Sequence, residues 1–293
     1  MSTERDYPLV QFDRQRPLIV LTNDDGVTSP GLYALRDTLS PLGEVHVVAP
    51  DQNRSGSARS ITMHTPLWVE EVEWPDGTLA FSTDGTPVDC VRMAALGLLE
   101  RRPDLIVSGI NLGANLGDDT TYSGTVAAAL EGLMLDIPAI ALSADGYHPE
   151  YDLTVPARVA HRLVSMVLSR GFPTKTLLNV NCPDVSWASL RGARLTTLGK
   201  RIYGDKVQCC DSQGKKRRYR IYSDRLSYHE QEGSDFEAVA EGYVSITPLQ
   251  FDLMSHRALD RLRHWENALQ LHEEPESQPC PAGTPGDSSE PAG

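Results

Sequence analysis

Asn23-Asp24-Asp25-Gly26 stands directly after the apolar run Leu18-Ile19-Val20-Leu21. Two adjacent carboxylates at the end of a buried strand repel each other unless a cation lies between them. Hard divalent cations such as Mg²⁺ or Mn²⁺ take oxygen ligands of this type. Gly26 permits the sharp turn that lets both carboxylates converge. The competing reading is an ordinary polar turn, where Asn, Asp and Gly are common.

Three further segments carry candidate groups. Asp51-Gln52-Asn53-Arg54-Ser55-Gly56-Ser57 follows the apolar run Val45 to Ala49. There Ser55 offers a hydroxyl and Arg54 a cation for phosphate, although taken alone this segment reads as a solvated loop. Leu105-Ile106-Val107 leads into Ser108-Gly109-Ile110-Asn111 and on to Asn115 and Asp118-Asp119. Its glycines at 109, 113 and 117 fit neither the dinucleotide fingerprint nor the P-loop. Asn111 and Asn115 supply neutral amide oxygens and NH₂ donors. Tyr122-Ser123-Gly124-Thr125 then opens an Ala-rich segment, and free N–H groups at a helix start attract anions; an ordinary cap is the plainer reading. Carboxylates, a hydroxyl, amides and an anion nest together point to a metal ion facing a phosphate.

The elements that must position these groups follow from the apolar pattern. Strands are expected at Leu18–Leu21, Val45–Ala49, Leu105–Val107, Ala139–Leu142 and Leu177–Val180. Helices are expected after Ser29-Pro30, from Thr86-Pro87 to about Glu100, over Gly124–Leu135 and over Val155–Leu168. Continuous apolar strands separated by helices mean an α/β fold, a Rossmann-like doubly wound and mostly parallel sheet covered on both faces. Ligands of such sheets bind beyond the carboxyl ends of the strands, where all four segments fall. The stretch from Leu195 to Tyr243 reads differently. Arg201–Gln208 and Arg218–Tyr222 are β-prone around turn residues 211–214, which suggests a protruding hairpin arm, and a terminal helix or helix pair is expected over Leu249–Leu269. The organisation expected is an extended or disordered segment 1–16, a catalytic domain 17–195, an arm and C-terminal oligomerisation region 196–269, and a disordered acidic, proline-rich tail 270–293.

Composition narrows the function. With 27 Lys and Arg against 40 Asp and Glu, the formal charge of −13 argues against a nucleic-acid polymer as partner. No apolar run is long enough to span a membrane, and the N-terminus lacks a secretory apolar core. The five cysteines are scattered without a C-x-x-C pair, so a zinc site and a disulfide framework are disfavoured and a cytoplasmic protein is expected. Other phosphatase chemistries fit poorly: the carboxylates are adjacent rather than Asp-x-Asp, no G-x-S-x-G elbow occurs, and no Cys-x5-Arg loop follows a strand. The eight histidines form no ligand cluster.

Taken in order, Asn23-Asp24-Asp25-Gly26, Ala49-Pro50-Asp51 through Arg54-Ser55-Gly56, Gly85-Thr86-Pro87, Ser108-Gly109-Ile110-Asn111, Asn115 to Asp119, Tyr122 to Ala129 and Glu241 to Leu249 closely resemble the SurE family, from about Pro17 to His264. The resemblance implies a metal-dependent phosphatase acting on nucleoside 5′-monophosphates, with 3′-monophosphates and short polyphosphate as further substrates. It implies one divalent ion, Mg²⁺ or Mn²⁺, per subunit, held by Asp24, Asp25, Ser55 and Asn111. Asn115 and the turn Ser123-Gly124-Thr125 match phosphate-facing positions, and Asp24 and Asp25 are the catalytic carboxylates. A homodimer or homotetramer formed by exchange of the C-terminal region is also implied. Cys209-Cys210 and the basic run Lys215 to Arg218 match nothing in the pattern. Two mechanisms remain open at this level, attack by metal-activated water and an Asp nucleophile, and a non-catalytic nucleotide- or phosphate-binding module is the alternative function.

Overall fold

A nine-stranded sheet forms the centre of the protein, seen in a computed structural model that describes residues 8–12, 16–146, 151–204, 206–221 and 226–269. The first strands are β1 (Leu9–Val10), β2 (Leu18–Thr22), β3 (Glu44–Pro50), β4 (Val69–Glu73), β5 (Leu79–Thr83), β6 (Leu105–Leu112), β7 (Ala139–Ala144) and β8 (Phe172–Pro173). They are followed by β9 (Leu177–Cys182), β10 (Ala193–Leu195), β11 (Arg201–Tyr203), β12 (Gln208–Gln213), β13 (Lys216–Arg220), β14 (Leu226–Tyr228) and β15 (Val244–Leu249). The large sheet runs β10-β15-β9-β7-β6-β2-β3-β5-β4. All pairs from β3–β5 across to β7–β9 are parallel, whereas β4 on β5 and β15 on β9 are antiparallel. The expected α/β, mostly parallel sheet is therefore present, in mixed form.

Helices cover both faces. They are α1 (Pro30–Leu39), α2 (Pro87–Met93), α3 (Gly124–Met134), α4 (Thr154–Arg170) and α5 (Asp235–Ala240). Ser29 caps α1 and Thr86 caps α2, each with proline at the first helical position, where the missing N–H is no loss. On one face Leu32, Leu35 and Leu39 of α1 pack with Val164 and Val167 of α4 over Leu21 and Val107. On the other, Cys90 and Val91 of α2 meet Val126, Ala128 and Ala129 of α3 over Val20 and Ile106. From β2 the chain passes through α1 to β3 on one side, then returns to β6 on the other side of β2. The order reverses at β2, so a crevice opens at its carboxyl end.

The structure departs from the sequence reading in several elements. β4 escaped it because Val69-Glu70-Glu71-Val72-Glu73 is acidic and mostly exposed; as an edge strand it carries the charges that discourage further pairing. β15 lies inside the sheet, although Leu249 reads as the start of a terminal helix. The helix begun at Pro87 ends at Met93 rather than near Glu100, and a widened turn follows in which Gly97 takes φ 145°. In the arm, β11 pairs with β14 and β12 with β13. The β12–β13 hairpin turns at Gly214-Lys215, not over 211–214, since Gly214 supplies the positive φ that a two-residue hairpin loop needs. Leu9–Val10 pairs with Phe172–Pro173, while the tail from 270 onward lies outside the described residues.

The chain divides at Phe251/Asp252 into two units. The second holds two short helices, α6 (His256–Leu262) and α7 (Trp265–Ala268), with Ser255 capping α6. Among the described residues, no helix is long and apolar enough to cross a membrane.

One close approach fixes the strand that delivers Asn111. A Cβ on Gly31 would sit 2.2 Å from the carbonyl oxygen of Ile110. Backbone cannot yield as a flexible side chain can, so Gly31→Ala must move α1 or the end of β6. Urea unfolding of that variant is expected to show a loss of about 1–3 kcal/mol, the usual cost of overpacking.

Candidate active site at the carboxyl edge of the sheet

The turn after β2 is built by Asn23. Its Oδ1 accepts from the Gly26 N–H at 3.1 Å, and its Nδ2 donates to the Gly26 carbonyl at 3.2 Å and to Ser29 Oγ at 2.6 Å. Gly26 closes the turn at φ 108°. The loop after β3 is stitched to the same turn, with Val27 N–H donating to the Pro50 carbonyl and Arg54 N–H to the Asp24 carbonyl at 2.7 Å. These backbone bonds hold the Asp24-Asp25 pair beside the segment that carries Ser55.

Asp24 is only 4% exposed. Thr125 Oγ1 donates to its Oδ1 at 2.6 Å, and the backbone N–H groups of Gly124 and Thr125 also donate to it. The carboxylate therefore seats against the start of α3, where helix N–H groups lack partners and the dipole favours negative charge. The approach is close: a Cβ on Gly124 would lie 2.7 Å from Asp24 Oδ2. Burial nonetheless pushes the Asp24 carboxyl above the usual range, against the pull of these hydrogen bonds. Asp25 is less buried, and desolvation together with the Asp24 charge pushes it up to about 6. Burial is the main cause of both shifts.

Each residue expected from sequence has a place on this edge. Ser55 is exposed, and its N–H donates to Asn53 Oδ1 at 2.8 Å, while Asn53 Nδ2 reaches Asp25 Oδ1 at 3.4 Å. Asn111, at the end of β6 on the other flank of β2, donates from Nδ2 to the Gly113 carbonyl at 2.7 Å. That bond orients the amide and leaves Oδ1 to accept. Asn115 is buried, with Nδ2 donating to Ser143 Oγ at 2.8 Å. Ser123 caps α3, its Oγ accepting from the Val126 N–H at 3.1 Å. The hydroxyl of Thr125 is engaged by Asp24.

Sequence reasoning passed over the residues that support these groups. Asn181 Oδ1 accepts from the Asn115 N–H at 2.7 Å, and the side-chain NH₂ groups of Asn179 and Asn181 both donate to the Asn115 carbonyl. Both asparagines are wholly buried on β9. A signal was present: Leu177-Leu178-Asn179-Val180-Asn181 places two amides at i and i+2, on one face of a buried strand.

The donor set suits a hard cation. Two carboxylates, a hydroxyl and an amide oxygen stand at the ends of β2, β3 and β6. Among the described residues no group of three or more His, Cys, Asp or Glu is placed to hold a metal ion, so an ion here would rely on the two aspartates and neutral oxygens. A cavity of about 270 Å³ near Val10, Ile137 and Thr174 lies before β7 and β9, at the opposite edge.

Comparison with known proteins shows the chain to be similar to SurE proteins. The family described as Survival protein SurE matches residues 19–205. The 5′-nucleotidase SurE of Chloroflexus aggregans is 48% identical over 253 residues, covering 85% of this chain and 98% of that protein. The 5′-nucleotidase SurE of Rubrobacter xylanophilus is 46% identical over 259 residues, covering 85% and 97%. The crystal structure of the SurE protein from Aquifex aeolicus superposes with a TM-score of 0.74 at 41% identity, covering 85% of this chain and all of that one.

Two outcomes follow from the packing of Asp24 and Asp25. Gly124→Ala should displace Asp24 from the start of α3 and destabilise the protein by about 1–3 kcal/mol in urea unfolding, whereas Ser123→Ala, which removes a cap, should cost about 1 kcal/mol. The pH effect has a definite sign. A carboxyl raised from 3.8 to about 6 in the fold favours the protonated native state; its contribution is full below about pH 4 and is lost as pH rises through about 6. In chelator, wild type should therefore lose stability relative to Asp25→Asn between about pH 4 and 7, read as diverging urea midpoints.

Proposed function

The chain belongs to the SurE family, and we propose that it is a metal-dependent 5′-nucleotidase, a hydrolase that splits nucleoside 5′-monophosphates into nucleoside and phosphate at the carboxyl edge of the sheet. The observation that carries this reading is the Asp24-Asp25 pair, two adjacent carboxylates at the end of β2, one of them buried against the start of α3. Asp24, Asp25, Ser55 and Asn111 would hold Mg²⁺ or Mn²⁺. Bound there, the ion would neutralise phosphoryl charge and make a water more acidic.

The chain's own groups divide the remaining work. Asp24 is fixed by Thr125 and by the N–H groups of α3, so its orientation is set before substrate arrives. Asp25, more exposed, orients the attacking water and accepts its proton. The water oxygen bonds to phosphorus as the bond to the nucleoside oxygen breaks, that oxygen takes a proton from solvent, and Asp25 returns to solvent the proton it took from the attacking water. Asn115, with one amide hydrogen on Ser143, directs the other at a phosphoryl oxygen. Ser123, Gly124 and Thr125 line the phosphate side, Thr125 through Asp24. Preorganised donors of this kind stabilise the charge that builds on the equatorial oxygens. Nucleoside 3′-monophosphates and short polyphosphate present the same terminal phosphoryl group and belong to the proposed substrate range. The arm and C-terminal region are the proposed contact in a homodimer or homotetramer. Buried free thiols at Cys90 and Cys182 suit a reducing cytoplasm.

Phosphate release from nucleoside 5′-monophosphates, 3′-monophosphates and short polyphosphate, with Mg²⁺ or Mn²⁺, tests the reading. Release from the 5′-monophosphates is expected, and no release from any substrate would overturn it. Asp24→Asn and Asp25→Asn should each lower turnover by at least about a hundredfold. Mn²⁺ should raise the Tm of wild type by binding the native state and raise that of Asp25→Asn far less.

A further inference from the structure

The loop from Gly113 to Ser123 carries Asn115 and delivers the chain to α3, yet Gly113 and Gly117 punctuate it with positive φ. Asn179 and Asn181 hold its front half. Its rear half is held from a different direction, by the base of the arm.

Asp119 is the centre of that grip. Its Oδ2 accepts from Arg201 Nε at 2.7 Å and also from Arg201 Nη2, while its Oδ1 accepts from the Tyr203 hydroxyl at 2.7 Å. Arg201 and Tyr203 both lie on β11, the strand that pairs with β14 at the foot of the arm. The pair is sheltered, with side chains 12% exposed for Arg201 and 25% for Asp119. The Arg201 guanidinium also lies 4.8 Å from the ring centre of Phe236, and Tyr228 of β14 stacks on the same ring. Asp235 adds a second hold: it is wholly buried, and its two oxygens accept the N–H groups of Gly117 at 2.7 Å and Gly199 at 2.8 Å.

The grip connects directly to the proposed site. The Asp119 carbonyl accepts the Tyr122 N–H at 3.0 Å. The next residue, Ser123, caps α3, and Gly124 and Thr125 hold Asp24. Four residues upstream of Asp119 stands Asn115. Charge-assisted bonds to both oxygens of one carboxylate fix its direction as well as its distance. Burial, the hydrogen bond to Asp119 and the Asp119 charge hold the Tyr203 phenol above its ordinary range.

Resting on the phosphatase reading, we propose that Asp119, gripped by Arg201 and Tyr203, is a positioning residue that ties the seating of the arm to recognition of the substrate phosphate. The arm thereby sets the pose of Asn115 and of the entry to α3, without touching the substrate.

The test uses the full chain loaded with Mn²⁺ and the variants Asp119→Asn, Tyr203→Phe and the double variant. KM for a nucleoside 5′-monophosphate and the inhibition constant of inorganic phosphate should rise together by at least about tenfold in Asp119→Asn, as expected when binding groups are displaced by a fraction of an ångström. The fall in kcat should be smaller, and the Mn²⁺-induced rise in Tm should match wild type. Tyr203→Phe, which removes one hydroxyl, should give a lesser rise, and the double variant should fall short of the product of the two, as partners in one network do. Unchanged KM and phosphate inhibition in both single variants would overturn the proposal, as would loss of the Mn²⁺ shift in step with KM. Should Asp119→Asn not fold, Tyr203→Phe carries the test alone. Phosphate-induced change in Tm, measured without turnover, keeps the inference testable if wild type releases no phosphate, an outcome that would sink the phosphatase reading alone.

Discussion

Two carboxylates share the end of one buried strand, and their mutual repulsion in a poorly solvated place shapes everything around them. Asp24 is almost sealed from water and Asp25 is half-buried. Burial raises both, and the charge of Asp24 raises Asp25 further. A fold retains such a pair only if other groups hold it in place. Here the hold comes from the Thr125 hydroxyl and the N–H groups that open α3, from the Asn23 side chain that ties the turn, and from the Arg54 N–H on the Asp24 carbonyl. The negative pair is thus stabilised by dipoles on its protein side and left with a deficit on its open side. That asymmetry suits a site for a cation and a phosphate.

The supporting framework is built from close approaches that larger residues would block. Gly124 lets the start of α3 reach Asp24, and Gly31 lets α1 settle on the Ile110 carbonyl just before Asn111. Both are contacts between a helix and the edge of the central strands, so small side chains at these points translate directly into positions of the reactive groups. The buried asparagines of β9 serve the same end by polar means: they hold the backbone of Asn115 from a strand three places away from β2.

The sheet also extends beyond the parallel unit that makes the crevice. β15 adds antiparallel to β9, and β10 follows it. This extension carries the chain to α5, whose Asp235 and Phe236 meet the loop from Gly113 to Ser123. The arm leaves from the same place. A segment remote in sequence is thereby brought against the loop that borders the site, and the route runs through side-chain hydrogen bonds and one aromatic ring rather than through a shared strand.

The sequence by itself determined the parallel centre of the sheet, its covering helices and the carboxyl edge at which the candidate groups stand. Leu18–Leu21, Leu105–Val107 and Ala139–Leu142 are apolar without interruption, the composition expected of strands buried on both faces. Ser29-Pro30 and Thr86-Pro87 marked helix starts because capping chemistry is local. The placement of Asp24, Asp25 and Ser55 just past β2 and β3, and of Asn111 near the end of β6, was legible from the apolar runs that precede them. Tertiary structure alone decided what had no local signature. β4 is an acidic edge strand whose pairing depends on β5, and β15 becomes a strand only where β9 offers its edge. The Thr125 hydroxyl turns to Asp24 across about a hundred residues of chain, and Asp119 meets Arg201 across roughly eighty. Such bonds depend on which strands lie side by side, a property of chain crossings that no window of neighbouring residues contains.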